Sequence, residues 1–176
     1  TFLTPRVAQL LSTHKGGYLS LSGLTTLTDT AAQALAKHQG TLFLNGITTL
    51  SDTVAQALAK HQGYLILPGL TTLTTTTAQA LATHKGGYLS LNALTTLSDT
   101  VAVALAKHQG FLHLPGITTL STTAAQALAE HKGILSLNGL TTLSNIAAQA
   151  LAKHKRYISC NQEIRDHIDR FKEHEA

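Results

Sequence analysis

The chain has 176 residues, enough for one ordinary domain, and its 43% hydrophobic content includes only 5% aromatics with neither Trp nor Met, so its core must be built from Leu and Ala. Charged residues make up 12%, well below the roughly 25% of an average globular protein. No apolar run approaches the ~20 residues of a membrane helix, no charged-then-apolar leader opens the chain, and the single cysteine, Cys160, cannot form an internal disulfide. The chain begins at Thr1 and contains no methionine. It reads as an excised fragment or processed product, so a missing leader says nothing about the parent's location.

One phrase, close to G-Y-L-S-L-N-G-L-T-T-L-S-D-T-A-A-Q-A-L-A-K-H, recurs along the chain. The histidine that closes each copy falls at His14, His38, His61, His84, His108, His131 and His154. The steps are 23 residues, or 24 where a glycine is doubled at Gly16-Gly17 and Gly86-Gly87. A fixed period of this length marks a solenoid, in which each copy is one supersecondary unit packed on its neighbours.

In chain order, residues 1 to 17 match only the helical half of the repeat, and Pro5 suits a first helical position. The array opens mid-repeat, so its first interface is expected to be raw or to continue into further repeats upstream of Thr1. In Tyr18-Leu19-Ser20-Leu21 the alternation predicts a short strand with Leu19 and Leu21 buried and Tyr18, Ser20 and Ser22 outside. Ser22-Gly23 turns the chain, and Leu24-Thr25-Thr26-Leu27 forms a second corner whose leucines both return to the core. Thr28 is a helix N-cap with Asp29 in the first turn, where a negative charge suits the dipole. Ala31 to His38 forms a short helix that ends on Lys37 and His38, with Gly40 free to take the left-handed terminating conformation.

The later copies agree. Strands are expected at Leu42-Leu44, Leu65-Leu67, Leu89-Leu91, Leu112-Leu114, Leu135-Leu137 and Ile158-Cys160, and N-caps at Ser51, Thr74, Ser98, Ser121 and Ser144. Seven parallel strands about 4.8 Å apart would make a sheet about 29 Å long, with the helices on the opposite side. After Cys160 the repeat stops. Ile164, Ile168 and Phe171 recur at helical spacing among charged residues, which predicts an amphipathic helix capping the last repeat. The division is therefore a repeat array over 1–160, its first repeat partial, and a charged capping helix over 161–176.

The L-x-L strand, the following L-x-x-L and the helical A-L-A resemble the leucine-rich repeats, over about residues 1 to 160. Leu67-Pro68, Leu114-Pro115 and Leu70-Thr71-Thr72-Leu73 are similar to the 23-residue class found in bacterial surface and secreted proteins. The chain departs from the family where Leu24, Ile47, Leu70, Leu94, Ile117 and Leu140 replace its loop asparagine, and it lacks the aromatic and cysteine of that class's helix. The resemblance implies a right-handed α/β solenoid, a bacterial surface or secreted location, and a role in binding proteins or other ligands on the sheet face.

Four columns of side chains are candidates for function. The histidines could stack, but each repeat supplies one and no cysteine or paired carboxylate completes a metal sphere. The reading adopted for them is structural, at the core edge, bonding terminal carbonyls and favouring the helix dipole. The threonine pairs from Thr25-Thr26 to Thr141-Thr142 could form ladders for an ice or other ordered surface. That role uses T-x-T on a strand, so adjacent threonines are expected to put one hydroxyl outward and one on the backbone. The lysines beside the histidines (Lys15, Lys37, Lys60, Lys85, Lys107, Lys132 and Lys153) form a basic edge that could attract nucleic acid, another polyanion or anionic lipid. Without arginine clusters or interleaved aromatics, solvated helix ends account for it, and nucleic acid is not the expected partner.

The fourth column lies on the outward side of the strands. Phe43, Tyr64, Ile66, Tyr88, Phe111 and His113 occupy positions that alternate with core leucines, whereas the terminal repeats carry Ser20, Ser136 and Ser159 there. Apolar side chains collected on a surface mark an interface. The expectation is a non-catalytic interaction module that binds a protein or other macromolecular ligand through this patch, with no metal or cofactor. There is no Gly-rich phosphate loop, G-x-S-x-G or H-E-x-x-H, and only four acids precede residue 157.

Overall fold

The computed structural model describes residues 3–172. Its elements alternate: α1 (Pro5–Ser12), β1 (Tyr18–Ser20), α2 (Asp29–Leu35), β2 (Thr41–Phe43), α3 (Asp52–Leu58), β3 (Leu65–Ile66), α4 (Thr75–Ala82), β4 (Tyr88–Ser90), α5 (Asp99–Leu105), β5 (Phe111–His113), α6 (Thr122–Ala129), β6 (Leu135–Ser136), α7 (Asn145–Ala152), β7 (Ile158–Ser159) and α8 (Gln162–Lys172). The strands pair in chain order into one parallel sheet. Equivalent residues stand opposite one another, so Leu42 faces Leu65, Leu65 faces Leu89, Leu89 faces Leu112 and Leu112 faces Leu135. The α/β repeat architecture read from the period is the one observed.

Alternation within each strand sends its leucines to one face, where they join the helical alanines and leucines in a single core. Leu35, Leu42, Leu44, Leu58, Leu65, Leu67, Leu81 and Leu89 are fully buried. Alanine keeps each helix close to the sheet: Ala31, Ala32, Ala55 and Ala78 are also fully buried. Both corner leucines pack on the core, the first buried within it and the second half-buried against it. The column of Leu24, Ile47 and Leu70 is buried, while Leu27, Leu50 and Leu73 are half-buried.

Helix starts follow the local chemistry. The hydroxyls of Thr28, Ser51, Thr74, Ser98, Ser121 and Ser144 each accept the backbone N–H three residues on. Helix ends differ from the expectation. α2 stops at Leu35, and the backbone N–H groups of Lys37 and His38 donate to Ala34 and Leu35 carbonyls in a tightened final turn. Gly40 does not take the left-handed conformation. Among the described residues only Gly87 has a positive φ, 77°, and that glycine absorbs the extra residue of its repeat while its carbonyl accepts from Phe111 N. The repeated glycine is needed instead for close approach, because a Cβ on Gly63 would collide with the Gly40 carbonyl of the preceding repeat.

At the far end α8 buries Ile164 and Ile168 against the last repeat, and Asn161 Oδ1 accepts from Ile164 N at 2.9 Å. Residues 173–176 of the expected capping segment lie outside the described residues. Among the described residues no helix is long and apolar enough to cross a membrane.

Candidate interaction face

The sheet face away from the helices is the candidate site. At the first outward position of each strand stand Tyr18, Thr41, Tyr64, Tyr88, Phe111, Ile134 and Tyr157. Tyr18, Tyr64, Ile134 and Tyr157 are exposed, while Thr41, Tyr88 and Phe111 are half-buried. At the second outward position Phe43, Ile66 and His113 are half-buried. Five of the six patch residues are thus only partly exposed on the outward side. Tyr64 is the most open of the six, at 53%, while rings and side chains across the sheet shield the others.

The shielding has a definite pattern. Tyr64 and Tyr88 lie 5.2 Å apart between centroids, and Tyr88 and Phe111 lie 5.0 Å apart edge to face. His113 sits 6.1 Å from Tyr88 and 6.0 Å from Phe111. These four rings form one cluster over β3 to β5. Phe43 pairs with Tyr18 at 6.3 Å, and the β2–β3 register places it opposite Ile66. Tyr18 thus extends the patch, although sequence reasoning left it in the column and out of the site. The serines expected on solvent beside the patch are not there: Ser90 and Ser136 are only 1% exposed. Larger neighbours cover them, and Ser136 Oγ is hydrogen-bonded to His113 Nδ1 at 2.9 Å while Ser90 Oγ donates to Asn92. Burial pushes the His113 imidazole below its usual pKa.

The histidine column stacks, with successive centroids from 5.9 to 6.3 Å apart between His14 and His154. It lies in the core rather than at its edge, since His38, His61 and His108 are wholly buried and only His14 is exposed. Its bonds cross between repeats. His84 Nε2 meets the Gly63 carbonyl at 3.0 Å, His131 meets Ala106 and Gly110 carbonyls at 3.2 and 3.0 Å, and His154 Nδ1 meets Ala129 at 3.2 Å. The carbonyls of Gly40 and Ala36 lie near enough to His61 to favour its proton, yet outside hydrogen-bond geometry. Burial dominates and holds His84 and His108 down to about 4. These rings are neutral at pH 7, so they do not serve the helix dipole as cations.

Both threonines of all six pairs are exposed, and the expected hydroxyl bond to the backbone is seen at Thr141. Backbone groups also bond across repeats, as in Thr71 N to Thr48 O at 3.3 Å and Thr141 N to Thr118 O at 2.9 Å. Thr141 Oγ1 also donates to Thr118 O at 3.3 Å.

The lysines are exposed at the turns that enter the strands. Gln39, Gln62 and Gln109 side chains donate to the carbonyls of Lys37, Lys60 and Lys107 and brace those turns. Between successive turns lie open clefts that sequence reasoning missed, because they arise from helix stacking and have no residue signature. One of about 670 Å³ is lined by Gln79, Thr83, His84, Lys85, Lys107 and Gln109, with Gly87 and Gly110 on its floor. Those glycines immediately precede Tyr88 and Phe111 in the chain. The cleft's long, solvated side chains make it a border of the site rather than an anchor pocket. No group of three or more His, Cys, Asp or Glu residues among the described residues could hold a metal ion. No protein-family model matches the chain, and no curated protein matches it.

Proposed function

We propose that this chain is a non-catalytic interaction module of leucine-rich-repeat type that binds a protein through its sheet face. The observation that carries the reading is the ring cluster of Tyr64, Tyr88, Phe111 and His113, continued by Ile66 and Phe43. Its rings lie 5.0 to 6.1 Å apart on a surface that no element of the fold covers. Rigid, half-exposed aromatics lose little rotamer freedom on binding and supply the anchors found at interface centres. Ring pairs already this close leave no slot between them for an inserted base or sugar, which favours a protein partner.

The test is recovery of a partner from the native source by the immobilised chain and by two double variants. F43S/F111S should lose the partner while keeping the circular dichroism of the parent. T48V/T71V, on the corner ladder, should retain it. Undiminished recovery by F43S/F111S would remove the sheet face as the site.

A second reading rests on the exposed threonine pairs, whose hydroxyls form two ladders suited to an ordered surface such as ice. Thermal hysteresis by the parent chain that T48V/T71V lacks would support it.

A further inference from the structure

We infer that the partner segment on the sheet face is acidic as well as apolar, with its carboxylates directed to Lys60, Lys85 and Lys107; this rests on the proposed sheet-face site. Three observations converge. First, the strands and corners of the face contain no Asp or Glu in any repeat. Second, the four acids before residue 157 are placed away from it. Asp29, Asp52 and Asp99 stand at first helical positions, where hydroxyls of the next repeat engage them: Thr53 on Asp29 at 2.7 Å, Thr76 and Thr77 on Asp52 at 2.8 Å, and Ser121 on Asp99 at 2.5 Å. Glu130 ends α6 and lines a cleft with Lys107 and Lys132, beyond the ring cluster.

Third, the turns that enter the ring-bearing strands carry a lysine in each middle repeat, with Glu130 as the acid at the far end of that edge. Lys85 and Lys107 line the cleft whose floor carries Gly87 and Gly110, the residues before Tyr88 and Phe111. Lys60 and Lys85 line the neighbouring cleft. Over residues 1–156 ten Lys and Arg stand against four acids. A partner laid on the rings therefore meets a row of ammonium groups along one side, with Glu130 only at its far end. Complementary charge in that position steers association and fixes orientation, while the apolar anchors supply the affinity. A bare polyanion would use the row without the rings, and a neutral apolar segment would use the rings without the row.

Random copolymers separate these cases. The probes are poly(Glu,Tyr), poly(Lys,Tyr), poly-Glu, heparin and oligo-dT, with binding followed by fluorescence anisotropy at several NaCl concentrations. Poly(Glu,Tyr) should bind, and its affinity should fall as salt rises. K60E/K85E/K107E should weaken it by about tenfold or more, and Y88S/F111S should weaken it comparably, with dichroism unchanged in both. Poly-Glu, heparin and oligo-dT should bind at least about tenfold more weakly than poly(Glu,Tyr). If poly(Lys,Tyr) binds as well as poly(Glu,Tyr), the acidic partner is wrong while the apolar sheet-face site stands. If poly-Glu or heparin binds equally and Y88S/F111S changes nothing, both readings fall and the lysine edge is a polyanion site. If no probe binds, the acidic-aromatic partner is overturned, and the sheet-face site rests on the recovery experiment alone.

Discussion

The imidazoles of His84 and His108 stack 5.9 Å apart with their planes 19° from parallel, inside a column that runs through every repeat. Burial holds both near pKa 4, below the ordinary 6.5, and the neighbouring ring adds to it, His108 for His84 and His131 for His108. His38, His61 and His154 are lowered for the same first reason, loss of solvation. The groups that meet these rings are other imidazoles and backbone carbonyls, with the Lys172 ammonium also acting on His154. Lys85 and Lys107, next to His84 and His108 in the chain, are exposed. No carboxylate compensates an imidazolium here, so protonation works against the native state.

That arrangement predicts acid sensitivity. Between pH 6.5 and about 4 the unfolded chain binds more protons than the folded one. Stability is therefore full above pH 6.5 and is lost as the pH falls toward 4. Each unit of depression is worth roughly 1.4 kcal/mol. Urea midpoints should be level from pH 7 to 8.5 and fall steadily from pH 6.5 down. A midpoint unchanged at pH 4.5 would show that these rings take up no protons on unfolding.

The glycines make a sharper structural prediction. A Cβ at Gly63 would strike the Gly40 carbonyl, whereas one at Gly23 meets nothing within 4 Å. Gly63→Ala should destabilise by about 1–3 kcal/mol, the range for overpacking a tight contact. Gly23→Ala should be neutral or stabilise by up to about 1 kcal/mol through the unfolded chain. Equal losses in urea denaturation would show that glycine serves flexibility rather than stacking distance.

The cap should control one end of the array. Ile164 and Ile168 are 2% and 0% exposed, and α8 covers the last repeat's core. Ile168→Ala should cost about 2–5 kcal/mol locally. Because repeats are stabilised by their neighbours, loss should start at β7 and spread inward. Hydrogen exchange should show protection falling first at Ile158 and Ser159, then in α7, while β2 and α3 hold. A uniform loss would mean the chain unfolds as one unit.

The features legible in the sequence were those set within one repeat. Alternation placed Leu42 and Leu65 inside, and a hydroxyl before Asp52 or Asp99 marked a helix start, because each depends on a few adjacent residues. What escaped depends on the next repeat. His38 falls on the inner stripe of α2 and its following turn, but stacked rings above and below bury it. Ser90 looks outward by alternation, yet Ile66 and His113 flank it across the sheet. The bond from Thr71 N to Thr48 O likewise joins two repeats and has no mark within either one. Gly40 carries a left-handed signal in one dimension and a collision constraint in three. The six patch residues were found because an apolar residue out of phase with the core is visible locally, while Tyr18 joined them only through its contact with Phe43.

The last prediction concerns position within the patch. Tyr88 contacts Tyr64, Phe111 and His113, whereas among the described residues Tyr18 contacts the ring of Phe43 alone and stands on the first strand. Interface energy concentrates where anchors are surrounded by other contacts that exclude water. Tyr88→Ala should therefore weaken binding of poly(Glu,Tyr) by about 2 kcal/mol, and Tyr18→Ala by less than about 0.5 kcal/mol. Tyr157 should resemble Tyr18, since Arg165 already lies over its ring at 5.0 Å and it sits on the last strand. The three variants, titrated by calorimetry at one salt concentration, give a direct ranking. If Tyr18→Ala or Tyr157→Ala costs as much as Tyr88→Ala, the ring cluster is not the centre of the interface. The whole outward column would then share the load.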